Sequence, residues 1–219
     1  MVIAILLYDG MTALDAIGPY EVLAELPDAT VRFVAERRGP VEVDTGALAL
    51  VAGASIDEVP AADVLVVPGG PGTAAIVGNP RVIEWVQSIH RTTRWTTSVC
   101  SGSLILGFAG LLRGLRATSH WMVLDLLREL GAEPTSERVV EQGKIVTAAG
   151  VSSGIDMALR LAQRIAGDDV AQCIQLGIEY DPQPPFDAGS PEKAPPHVVQ
   201  RARELFEQMI AARTRPSAA

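Results

Sequence analysis

Short apolar runs interleaved with stretches of helical spacing constrain the fold of this chain more than any other feature. The runs VIAILLY (residues 2–8), VRFVAE (31–36), LALVA (48–52), DVLVVP (63–68), WTTSV (95–99) and KIVTAA (144–149) have strand length. They are apolar on both sides of the pleat, so both faces of the sheet they form must be covered. Residues 11–26, 80–90, 101–112, 121–130 and 151–166 carry apolar residues at helical spacing and can supply the cover. The pattern predicts an α/β fold, a doubly wound, mostly parallel sheet with helices on both faces. VVEQGKIVT (139–147) reads as a hairpin with Gly143 in its turn.

At 219 residues the chain is expected to form a single domain, 1–219. Residues 180–196 hold six prolines and precede a last helix near 198–212, so a proline-rich arm and helix are expected over about 180–213. Lys and Arg number 18 against 26 Asp and Glu, a net charge of −8 without a basic block, which argues against nucleic acid. No run approaches the ~18 apolar residues of a membrane span, so no membrane partner is expected. Two cysteines build no disulfide framework, which suits a cytoplasmic protein.

Ligands of open α/β sheets bind at the carboxyl ends of the strands. There Cys100 lies between a strand and a helix in Ser98-Val99-Cys100-Ser101-Gly102, whose small residues permit a sharp nucleophile turn. A thiol at a helix N-terminus should have a lowered pKa. PGGPG (68–72) follows another strand, and the N–H groups of Gly69 and Gly70, with that of Ser101, are candidate oxyanion donors. Gly150 opens GVSSG on a fourth loop and is a candidate substrate contact. Asp15 reads either as a helix-start carboxylate stabilised by the dipole or as a proton carrier beside Cys100. His120 reads as a base for Cys100 or as a supporting residue, and Trp121 as a pocket wall. Three scattered histidines do not make a metal cluster. Cys173, in AQCIQLG, reads as core packing.

Together DGMTALD (9–15), VVPGGPG (66–72), VCSGSLILGFAGLLRG (99–114), RATSHW (116–121) and GVSSGIDMAL (150–159) resemble the DJ-1/PfpI superfamily, over about residues 2–180. The resemblance implies a class I glutamine amidotransferase-like sheet and a homodimer. Its peptidase branch carries His after the nucleophile, where this chain has Ser101. AraC-type regulators share the core, and the residues after Tyr180 are expected to leave no room for their DNA-binding region. Asp15 stands where the DJ-1 branch uses glutamate; that and the tail EYDPQPPFDAGSPEKAP (179–195) are similar to the isocyanide hydratases. Those usually have threonine after the cysteine, and Ser101 keeps the hydroxyl.

That resemblance implies an enzyme that adds water to an isocyanide without a cofactor. Catalytic roles then fall to Cys100, Asp15 and Ser101: Cys100 attacks the terminal carbon, Asp15 delivers a proton, and water releases an N-substituted formamide from the thioimidate. The alternatives are a DJ-1-like redox sensor or a glyoxalase-type enzyme using the same cysteine.

Overall fold

A computed structural model describes residues 1–213. The elements are β1 (Val2–Leu6), α1 (Ala13–Leu23), β2 (Thr30–Ala35), β3 (Gly39–Glu42), β4 (Ala49–Ala52), β5 (Ala54–Ser55), β6 (Val64–Val67), α2 (Thr73–Val77), α3 (Pro80–Thr92) and β7 (Trp95–Val99). They continue through α4 (Gly102–Phe108), β8 (Arg116–Ala117), α5 (Leu126–Glu129), β9 (Glu133–Pro134), β10 (Val139–Gln142), β11 (Ile145–Ala148), α6 (Ser153–Ala166), α7 (Asp168–Gly177) and α8 (Pro196–Arg213).

Seven strands form the main sheet in the order β10-β11-β7-β6-β1-β2-β5. All pairs are parallel except β10 with β11, which are joined by a hairpin turn at Gly143. β1 and β6 lie at the centre, and Ile3 to Leu6 and Val64 to Val67 are buried, as strands covered on both faces must be. This is the α/β architecture that the apolar runs predict.

Some elements differ from the sequence reading. The run 48–52 does not join the main sheet; β4 pairs antiparallel with β3 as a separate hairpin. That hairpin is tied to the loop after β1 by Gly10 N–H to the Glu42 carbonyl and Asp44 N–H to the Met11 carbonyl. The helix expected over 121–130 contracts to the single turn α5, preceded by hydrogen-bonded turns. α4 ends at Phe108, and Gly110 at φ +76° then turns the chain away. A separate helix, α7, follows a break at Gly167, whose φ of +89° stops α6.

The described residues divide into two compact units, Met1–Tyr180 and the segment from Asp181 onward. The first contains the sheet and the site described below. In the second, α8 is the helix of the described residues.

Candidate active site

The carboxyl ends of β1, β6, β7 and β11 bring four loops together. Cys100 follows β7 directly and sits at φ +57°, a left-handed conformation that a residue with a Cβ adopts at a cost of roughly 1–2 kcal/mol. The turn is held at both ends of the residue. The Cys100 N–H donates to the Ala149 carbonyl at 2.8 Å, and its carbonyl accepts the Ser119 hydroxyl at 3.1 Å and the Ser103 hydroxyl at 3.2 Å. Such over-determination keeps a strained residue in place and aims its side chain.

The turn needs glycine neighbours because two backbones meet there. A Cβ on Gly69 would lie 2.4 Å from the Ser101 nitrogen, and one on Gly102 would lie 2.1 Å from the Val67 carbonyl oxygen. PGGPG is thus the surface on which the Cys100 turn rests.

Asp15, in the first turn of α1, is fully buried. Its Oδ2 accepts the Gly69 N–H at 2.8 Å, while Oδ1 has no hydrogen-bond partner. Burial pushes the carboxyl up to about 7, and the charge of Asp44 adds to the rise. The Gly69 N–H and the Cys100 thiol oppose it. Asp44 sits beyond β3 and accepts the hydroxyl of Thr12, the residue that starts α1, at 2.9 Å.

The thiol reverses one expectation. Burial, and then the charge of Asp15, push Cys100 well above the ordinary thiol range instead of below it. The N–H groups of Ser101 and Val151 and the Ser101 hydroxyl pull the other way without prevailing. Only 6% of Cys100 is exposed, and α4 has seven residues, so desolvation outweighs the helix dipole. Near neutrality the pair therefore holds the thiol proton and partly ionises the carboxyl, and its titration belongs to both groups.

The structure brings Cys100, Asp15, Ser101, Gly69 and Gly70 together but occupies both glycine donors. Gly69 N–H serves Asp15, and Gly70 N–H donates to Ser101 Oγ at 2.9 Å. Ser101 and Val151 supply the N–H groups that address the sulfur. Gly150 immediately precedes that donor and lets the His120 ring approach: a Cβ on Gly150 would lie 3.2 Å from His120 Cδ2. Burial lowers the pKa of His120, whose Nδ1 accepts the Met122 N–H at 3.4 Å. Its ring lies 5.8 Å from that of Trp121, tilted by 33°. Val151 lies in GVSSG, but its residue type gives no sign of its role, because a backbone donor leaves no residue-type signature. Ser103 and Ser119 do stand in the quoted motifs CSGS and RATSHW.

Cys173 is exposed on α7 and is not part of the core. Ala171 and Ile174 form the buried stripe of that helix, while Leu176 is 78% exposed. Among the described residues no group of three His, Cys, Asp or Glu is placed to hold a metal ion. No helix of the described residues is long and apolar enough to cross a membrane.

The DJ-1/PfpI family matches residues 1–164. An isonitrile hydratase of Pseudomonas putida is 45% identical over 212 residues, which is 97% of this chain and 92% of that protein. A solved THiJ/PfpI family protein from Pseudomonas syringae superposes with a TM-score of 0.91 at 41% identity, covering 96% of this chain and 87% of that one. Drosophila melanogaster DJ-1beta shares the fold at a TM-score of 0.74 and 21% identity, over 81% of this chain and 97% of its own. With its sheet order, its strained cysteine turn and these relatives, the chain belongs to the DJ-1/PfpI family.

Proposed function

We propose that this protein is an isocyanide hydratase, which adds water to an isocyanide to give an N-substituted formamide. The observation that carries the reading is the fully buried carboxyl of Asp15 interacting with the thiol of Cys100 in its strained turn. The similarity to the Pseudomonas putida isonitrile hydratase over nearly the whole of both chains supports it.

An isocyanide carbon accepts a soft nucleophile and then needs a proton on that same carbon. In the proposed route Asp15 carboxylate takes the thiol proton as the Cys100 sulfur bonds to the terminal carbon. The resulting carboxylic acid protonates the carbon, leaving a thioimidate in which carbon is joined to sulfur, hydrogen and nitrogen. Water then adds to the carbon, with Asp15 taking one water proton and passing it to nitrogen, so that the remaining hydroxyl proton is left for the departing sulfur. Collapse of this adduct forms the formamide carbonyl, breaks the carbon–sulfur bond and returns the thiol. A carboxyl near 7 suits both directions of proton transfer. The N–H groups of Ser101 and Val151 steady the sulfur while it carries charge.

The test is incubation with an aryl or alkyl isocyanide. Formamide should accumulate, and an acid-quenched reaction should carry one substrate mass on Cys100. Absence of both product and adduct would remove the reading.

The pH dependence follows from the same pair. The first step needs Asp15 ionised, so kcat/KM should rise with pH through about 7 and then level off, since the thiol ionises far higher. Rates that fall across that interval would contradict Asp15 as the initial base.

The proposal also takes the protein to be a cytoplasmic homodimer. Sedimentation should give twice the 23.2 kDa chain mass, and an active monomer would exclude it.

A further inference from the structure

We propose that Tyr8 and Thr73 are positioning residues that draw the Ser101 hydroxyl proton away from Cys100 at rest and release it when the sulfur becomes anionic. This rests on Cys100 as the nucleophile, as proposed above, but not on an isocyanide as its substrate.

The three hydroxyls form a buried row. Tyr8, Thr73 and Ser101 are 5%, 5% and 8% exposed. Tyr8 Oη donates to the Pro68 carbonyl at 2.8 Å and lies 3.1 Å from Thr73 Oγ1, which lies 2.9 Å from Ser101 Oγ. Ser101 Oγ also accepts the Gly70 N–H and reaches the Cys100 sulfur. The row therefore runs from the carbonyl through three hydroxyls to the sulfur, a set of four contacts served by three protons.

With the thiol proton directed to Asp15, the three hydroxyl protons leave one of the four contacts without a proton, and the charge on sulfur decides which. Both ends of the row are acceptors when the sulfur looks for a donor, and a neutral thiol is the weaker of the two. At rest the protons therefore point toward Pro68: Tyr8 donates to the carbonyl, Thr73 to Tyr8, and Ser101 to Thr73. The Gly70 carbonyl does not compete well, at 3.4 Å from Ser101 Oγ. When the sulfur turns anionic it becomes the stronger acceptor. The row then reverses: Ser101 donates to sulfur, Thr73 to Ser101, Tyr8 to Thr73, and the buried Pro68 carbonyl loses its donor. That lost bond restrains ionisation of the nucleophile.

Shortening the row removes the restraint. Without the Tyr8 hydroxyl, Thr73 has Ser101 as its remaining acceptor in the row, so both protons point toward sulfur in either state. Without the Thr73 hydroxyl, Ser101 is left with the sulfur and the distant Gly70 carbonyl. Both changes favour the thiolate. The titratable groups facing Cys100 are Asp15 from α1 and Tyr8 from the loop after β1, with Asp44 acting on Asp15. Burial keeps the Tyr8 phenol protonated, and both carboxyls are retained in every variant.

The experiment measures alkylation of Cys100 by iodoacetamide from pH 6 to 10, in the full chain with Cys173→Ser and read by mass spectrometry. Thr73→Val and Tyr8→Phe should each react about 3- to 10-fold faster than the parent, the scale of one neutral hydrogen bond, with the rate rise displaced to lower pH. Neither should change the rate in a Ser101→Ala background. Unchanged or slower alkylation in the folded single variants overturns the proposal, as does an acceleration that persists without the Ser101 hydroxyl. Thr73→Val keeps the side-chain shape and carries the test alone if Tyr8→Phe does not fold. No isocyanide enters the measurement, so a failed hydratase assay leaves its outcome intact.

Discussion

Asp15→Asn is expected to lose about 10²–10⁴ in turnover, the contribution of a positioned acid and base, and to lose at the same time a pH dependence of stability. The amide can still accept the Gly69 N–H through its oxygen, so the contact between α1 and PGGPG survives. It can neither take the thiol proton nor deliver one to carbon. The stability effect follows from the raised carboxyl. Folded Asp15 titrates near 7, above its ordinary 3.8, so between those values the folded chain binds a proton that the unfolded chain has released. Its favourable contribution is complete below about pH 4 and is lost as pH rises through about 7. From pH 5 to 8 the parent should lose on the order of 2–3 kcal/mol relative to Asp15→Asn, measured by urea unfolding at the two pH values. Equal pH dependence in parent and variant would mean that the carboxyl is not raised. Near-parental turnover in folded Asp15→Asn would remove it from the chemistry.

The parts of the site that were legible in the sequence are those whose residue type is itself the signal. Cys100 stands between a buried strand and a helix, with small residues on both sides, and few backbone arrangements suit that pattern. PGGPG announces close backbone approach, and Gly69 and Gly102 lie where a Cβ has no room. The role of Val151 was not legible because it works through its N–H, and any residue there offers the same donor. The hydroxyl row was hidden for a different reason: Tyr8, Thr73 and Ser101 come from three separate parts of the chain and meet only after folding. Two misreadings have a common cause. LALVA has the pattern of an inner strand, and AQCIQLG has apolar residues on more than one side of its helix. In each, hydrophobicity indicates an element but not which face or sheet it joins. The acidity of Cys100 is not legible in the sequence because the dipole of α4 is local and visible, whereas desolvation comes from the whole packed site.

Cys100→Ala should abolish formamide formation, because the proposed route forms its first bond at the sulfur and no other described thiol lies in the site; Cys173 is exposed on α7. Cys173→Ser serves as the control and should turn over normally. The backbone of Cys100 yields a second expectation that is independent of chemistry. At φ +57° alanine keeps the left-handed strain that cysteine bears, whereas glycine relieves it. Cys100→Gly should therefore be more stable than Cys100→Ala by about 1 kcal/mol in urea unfolding, although both lack the thiol. The two variants separate strain from reactivity, since activity should be lost equally in both while stability differs. Substantial turnover by Cys100→Ala would sink covalent catalysis. If alanine proved as stable as glycine, the strain would be absent and the aim of the sulfur would have to come from the bonds to Ala149, Ser103 and Ser119 alone.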